Sequence, residues 1–175
     1  MTTRPLETVS VCADLEHFEE PAQMGWLRRQ KSRSGDIFSF EYQPTWLHKP
    51  EAFSFDPDLA LVSGSQYPVP GRPNFGIFLD SSPDRWGRVL MQRRENIRAR
   101  HEGRRARSLT EWDFLLGVHD ETRLGALRFR DPNSERFIDC DEKLAAPPIA
   151  SLRELQLLLV VERRVQALAL DVAGH

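Results

Sequence analysis

FGIFLDSSPDRWGRVLMQRRE, residues 75 to 95, is where the chain changes its period. Before it, apolar residues alternate in short runs. Within it, they recur at three and four positions, the spacing of one helix face. Ser82 is a candidate N-cap, Pro83 suits a first helical position, and Asp84 suits the first turn, where a carboxylate meets the positive end of the helix dipole. Trp86, Val89, Leu90 and Ile97 continue near helical spacing. The expected helix therefore opens at Ser82, runs to about Arg100 and stops at Gly103. Gly87 costs a helix interior roughly 1 kcal/mol relative to alanine, which points to close packing at that position. Phe78 and Trp86 are expected to enter the core, and the arginines that follow are expected to face outward.

Upstream, the pattern is β. VSVCADL (Val9 to Leu15), MGWLRR (Met24 to Arg29) and DIFSFEY (Asp36 to Tyr42) are rich in Val, Phe, Trp and Tyr. DIFSFEY alternates cleanly, with Phe38, Phe40 and Tyr42 on one side and Ile37, Ser39 and Glu41 on the other. Ser34-Gly35 before it is a turn signal. From Glu51 to Asn74, Pro57, Gly64, Pro68, Pro70, Gly71 and Pro73 forbid a long helix or a central strand. A long ordered loop is expected there, with an edge strand at Leu59 to Val62.

Downstream, Ser108-Leu-Thr-Glu111 matches a capping box and opens a second helix carrying Trp112, Leu115 and Leu116, with Gly117 near its end. LGALRFR (Leu124 to Arg130) reads as a further strand. A last helix is expected from Ser151, again with a capping box through Glu154. The fold class is α+β: a small antiparallel β meander, then a mostly helical segment with one further strand. Residues 1–74 form the β-rich part and residues 75–175 the helical part.

The bulk properties bound the function. With 40% apolar residues in 175, the chain can bury a real core, and a net charge of −2 exerts no overall pull on nucleic acid or anionic lipid. Cys12 and Cys140 are isolated, which gives neither zinc-ligand spacing nor a disulfide framework. The N-terminus has no apolar stretch of the secretory kind. The longest apolar run, Leu155 to Val161, is far shorter than the roughly 20 residues of a membrane helix. A cytoplasmic protein without a membrane partner is expected.

Charge is concentrated locally. From Asp84 to Arg107, nine arginines face three acids, Asp84, Glu95 and Glu102, a local net of +6. Arg93, Arg94, Arg98, Arg100, Arg104, Arg105 and Arg107 gather at the C-terminal half of the helix and just beyond. Three readings are open: a solvated face favoured by the negative end of the helix dipole, a surface for an acidic protein, or a nucleic-acid contact. Aromatic interleaving and a helix N-terminus, the usual marks of a phosphate site, are both missing. Trp86, between Arg85 and Arg88, fits either a cation–π contact or the core.

Catalytic signatures do not emerge. His17, His48, His101, His119 and His175 make no metal motif, and no nucleophile elbow or glycine-rich phosphate loop is written. His119-Asp120-Glu121 could be an acid–base cluster, but such a triplet between a helix end and a strand is the usual composition of a turn.

FGIFLDSSPDRWGRVLMQRR, with LTEWDFLLGVHDETRLGALRFRD after it, resembles the amino-terminal region of HipA-like proteins, serine/threonine kinases of bacterial toxin–antitoxin modules. GDIFSFEYQPTWL is similar to that family's F-x-Y strand, and SLRELQLLLVVERRVQAL to the helix preceding its ATP-binding loop. The resemblance runs from about Val9 to Leu170. It implies a kinase-like fold entered through a β-rich subdomain. The family's nucleotide loop, catalytic aspartate and metal ligands lie beyond the last matched helix, so no catalytic, cofactor-binding or metal-binding residue carries over. Phosphoryl transfer needs a phosphate cradle, a metal carboxylate and a base, and none is recognisable here. The resemblance implies the N-terminal segment of such a kinase, inactive alone, with ATP and Mg entering only with a C-terminal part. The alternative is a free-standing module that pairs with a separately encoded kinase core. Implied partners are that core or a HipB-like antitoxin, with DNA reached only through the antitoxin. The candidate partner-binding residues are Arg93, Arg94, Arg98, Arg100, Arg104 and Arg105.

Overall fold

Antiparallel pairing organises the molecule. The computed structural model describes residues 7–138 apart from 17, 34, 121, 122, 124 and 135. Strands β1 (Thr8–Ala13), β2 (Ala22–Ser32), β3 (Gly35–Tyr42) and β4 (Leu127–Arg130) form one sheet in the order β3-β2-β1-β4. The first three make the expected meander, and β4 returns from the far end of the chain to pair with β1, setting Ser10 opposite Arg130 and Ala13 opposite Leu127. Gly35 opens β3 at φ +131°, a region that side chains avoid. The last helix expected from Ser151, together with Cys140, His17 and His175, lies outside the described residues.

Alternation places the core. Phe38, Phe40 and Tyr42 of β3 are buried and Ile37 is exposed, as the sequence pattern implies. On β2, Gln23 and Gly25 pair with Cys12 and Val11, leaving Met24 as a bulged residue. The bulge resets the strand's parity, so Met24 joins Leu27 in the core. Gly25 lies against β3 so closely that a Cβ would sit 2.2 Å from the Glu41 carbonyl oxygen. Strand β1 is buried on both faces. Val9, Val11 and Ala13 meet the core, while Ser10 and Cys12 share the opposite face with Arg128 and Arg130, whose guanidinium carbons lie 3.7 and 4.7 Å from the Phe137 ring centre.

Four helices lie among the described residues: α1 (Pro44–Leu47), α2 (Gly76–Asp80), α3 (Arg85–His101) and α4 (Glu111–Leu116). Phe78 of α2 packs on Phe40 and Phe129, and Trp112 of α4 on Phe38, with ring centres 5.7, 6.2 and 6.0 Å apart. A second aromatic group, Phe18, Trp46, Phe53 and Phe55, closes over α1. Residues from both sides of position 74 share one core. The result is an α+β fold.

Several local expectations are corrected. Leu59 to Val62 is not a strand; the edge of β3 is met instead by a single bridge between Phe40 and Gln66. The loop is ordered by Asp56, whose buried carboxylate accepts from the Ile77 and Asp58 amides at 2.7 and 2.8 Å. The expected helix is α3, and a further short helix, α2, precedes it. Ser82 does not cap α3, because its hydroxyl donates back to the Phe78 carbonyl at the end of α2. Asp84 is the cap, accepting from the Gly87 amide at 2.7 Å. The capping box of α4 is Thr110 with Asp113 rather than Ser108 with Glu111, because Glu111 is held by Arg88. Trp86 is 56% exposed and not in the core.

Candidate functional site

The arginine segment is built on α3 and the loop that folds back along it. Gly103, at φ +64°, ends the helix where expected. The amide of Gly103 donates to Arg100 and that of Arg104 to Ala99, a Schellman closure that satisfies the last carbonyls. The returning loop is latched to the inner side of α3. Gln92 accepts from the Leu109 amide and donates to the Arg107 carbonyl, at 2.9 and 2.8 Å. Glu95, nine-tenths buried, accepts two bonds from Arg104, at 2.6 and 3.1 Å.

Four of the segment's nine arginines pair with carboxylates of the chain. Arg104 bridges Glu95 and Glu102, and Arg98 pairs with Glu102 one turn away. Arg107 grips Asp113 with two bonds of 2.9 Å, and Arg88 grips Glu111 while stacking over Phe114. The Arg104 hydrogen bond holds the Glu95 carboxyl well below its usual range, at about 2. Arg98 and then Arg104 lower Glu102. Burial pushes Asp113 up, but the Arg107 and Thr110 bonds outweigh it and its pKa falls.

The six candidate arginines therefore divide. Arg98 and Arg104 are structural ion-pair partners. Arg93 and Arg94 are half-buried, and Arg100 and Arg105 are exposed. The outward face of α3 also carries what the core does not: Trp86, Val89 and Ile97 are 56%, 36% and 45% exposed. At about 100° per residue, Trp86, Val89, Arg93, Ile97 and Arg100 fall within an arc of roughly 80°. The buried face holds Gly87, Leu90, Met91, Glu95 and Ala99. Helical spacing alone could not tell which apolar residues of α3 are buried: Leu90 and Met91 are, and Trp86, Val89 and Ile97 are not.

His119 and Asp120 lie in the expected turn between α4 and β4, and Glu121 lies outside the described residues. Both His119 and Asp120 are buried, and Asp120 holds Arg128 through a 2.8 Å bond, raising the arginine's pKa against the opposing effect of burial. Arg123, buried, donates to the carbonyls of Ser81, Leu115 and Val118 at 3.1, 2.7 and 3.2 Å, and stacks over Phe129 at 4.5 Å. It ties the ends of α2 and α4 to β4, a role that no sequence spacing announces. Among the described residues there is no group of three or more His, Cys, Asp or Glu arranged to hold a metal ion, and no helix is long and apolar enough to cross a membrane. No family model and no curated protein matches the chain.

Proposed function

We propose that the chain is the N-terminal segment of a HipA-like serine/threonine kinase of a toxin–antitoxin module, acting as a docking scaffold without kinase activity of its own. The resemblance of the two central sequence blocks motivates this. The observation that carries it is the use to which those blocks and the segment between them put five carboxylates. Glu95, Glu102, Glu111, Asp113 and Asp120 each bind an arginine. Carboxylates held in this way do not suit a nucleotide-bound magnesium ion, which takes one or two free carboxylates and keeps water. These five carboxylates do not fit a magnesium ion, and no step of phosphoryl transfer is assigned to them. Phe78, Trp112 and Phe129 from the same blocks are core, which supports a folding and orienting role.

Two measurements test the proposal. The isolated chain should show no ATP turnover and no autophosphorylation. A HipA-like kinase core lacking its own N-terminal region should co-purify with the chain when the two are co-expressed. Turnover by the chain alone, or a core that ignores it, overturns the reading. The alternative, a free-standing module for a separately encoded core, draws on the exposed apolar face of α3 and predicts the same pairing between two gene products.

A further inference from the structure

We infer that the outer face of α3 is a docking surface for an acidic amphipathic helix of a partner protein. This deepens the docking-scaffold reading and rests on it for the partner's existence, but the chemistry of the face is argued from α3 itself. Trp86, Val89 and Ile97 project large apolar surface into solvent along one stripe. From Trp86 to Arg100 the stripe is about 21 Å long, four turns of a facing helix. A helix normally turns its wide apolar stripe inward, yet α3 buries a glutamate and a glycine while displaying a tryptophan and an isoleucine. Exposed apolar surface rimmed by charge is the form of an interaction site.

The rim decides the occupant. Arg85 is exposed beside the stripe, Arg100 is exposed at its end, half-buried Arg93 lies within it, and Arg105 is exposed just beyond the helix. The acids nearest in sequence are already engaged: Glu95 and Glu102 hold Arg104 and Arg98, and Asp84 caps the helix. The face therefore combines exposed apolar side chains with arginines that stand among them and beside them. Its complement is a helix with aliphatic residues along one side and Glu or Asp flanking them. Duplex nucleic acid is a poor match, since a phosphate backbone offers nothing to cover Val89 and Ile97, and Arg98, Arg104 and Arg107 are neutralised within the chain.

Two synthetic peptides of one helical design, each with a leucine stripe, one flanked by Glu and one by Lys, provide the test. Trp86 is the reporter, being the most exposed of the four tryptophans: Trp46 and Trp112 are buried and Trp26 is half-buried. The Glu-flanked peptide should shift Trp86 emission to the blue and bind at least tenfold tighter than the Lys-flanked peptide at low salt. The signal should vanish in Trp86→Phe, and binding should fall at least tenfold in Val89→Asp/Ile97→Asp. Both substituted positions are exposed, so far-UV circular dichroism and melting should stay unchanged. Equal binding of the two peptides, no binding of either, or undiminished binding by the folded double variant overturns the inference. A kinase core that pairs equally with the wild-type chain and the double variant also overturns it, while leaving the docking reading intact. If the Glu-flanked peptide binds but no core pairs, the surface stands and the kinase-partner reading falls.

Discussion

Asp56 and Gly25 each hold a backbone in place that no neighbour in sequence could hold. The Asp56 carboxylate satisfies the amide of Ile77, 21 positions away, at the start of α2. Asp56→Ala leaves that donor without its partner in a part-buried site, an expected loss of about 1–3 kcal/mol, read as a lower urea midpoint with the slope unchanged. Gly25→Ala places a methyl group 2.2 Å from the Glu41 carbonyl oxygen, and backbone cannot yield as a side chain can. The expected loss is again about 1–3 kcal/mol, measured by the same titration. Trp86→Ala, on the exposed face, should change stability by under about 0.5 kcal/mol. At this scale the sequence was legible where chemistry is periodic. Phe38, Phe40 and Tyr42 declared the buried side of β3 by alternation, and Gly103 declared the helix end by its conformational freedom. Asp56 was not legible, because its partner is remote and Asp in a Pro-rich loop looks like ordinary turn composition. Arg123 was hidden likewise, its acceptors being three carbonyls from separate elements.

At the scale of elements, α3 is defined by its cap and its latch. Asp84→Ala should lower stability by about 1 kcal/mol, seen as a lower melting temperature, since its carboxylate takes the Gly87 amide. The sequence located this helix and misjudged its start by two residues. Ser82-Pro83 is a sound cap signal, but the Ser82 hydroxyl closes the preceding α2 instead. The latch makes a pH prediction. Glu95 is ordinarily half-protonated near 4.5 and falls to about 2 beside Arg104. A carboxyl lowered in the folded state binds more protons when unfolded, so its contribution is full above pH 4.5 and is lost as pH falls towards 2. Unfolding free energies measured stepwise through that window should converge between wild type and Glu95→Gln as the pH drops, the variant being the weaker above it. Parallel curves would mean that the Arg104 pair does not titrate with folding. The pairing itself was not written in the arginine count: composition records that charge is dense, not which charges are already matched.

At the scale of the whole molecule, β1 is the element on which the others converge. It is hydrogen-bonded on both edges, to β2 and to β4, and buried on both faces. The sequence marked it as a strand but not as a central one, since β4 comes from more than a hundred positions away and its partner had no local signal. Cys12 sits in this strand fully buried, and burial raises its thiol pKa. A thiol reagent attacks the thiolate, so a native molecule protects Cys12 twice, by access and by protonation. Reaching it requires β1 to separate from a neighbour or from the aromatic core. If sheet and helices open as one cooperative unit, labelling of Cys12 in a Cys140→Ser background must follow global unfolding. Its rate should lie at least about a thousandfold below that of the unfolded chain, and should rise with urea along the slope of the equilibrium transition. The Gly25→Ala substitution should speed labelling by the factor that its stability loss dictates. A rate insensitive to urea would show that β4 peels from β1 by local opening, and that the helical segment and the meander are separate cooperative units despite their shared core.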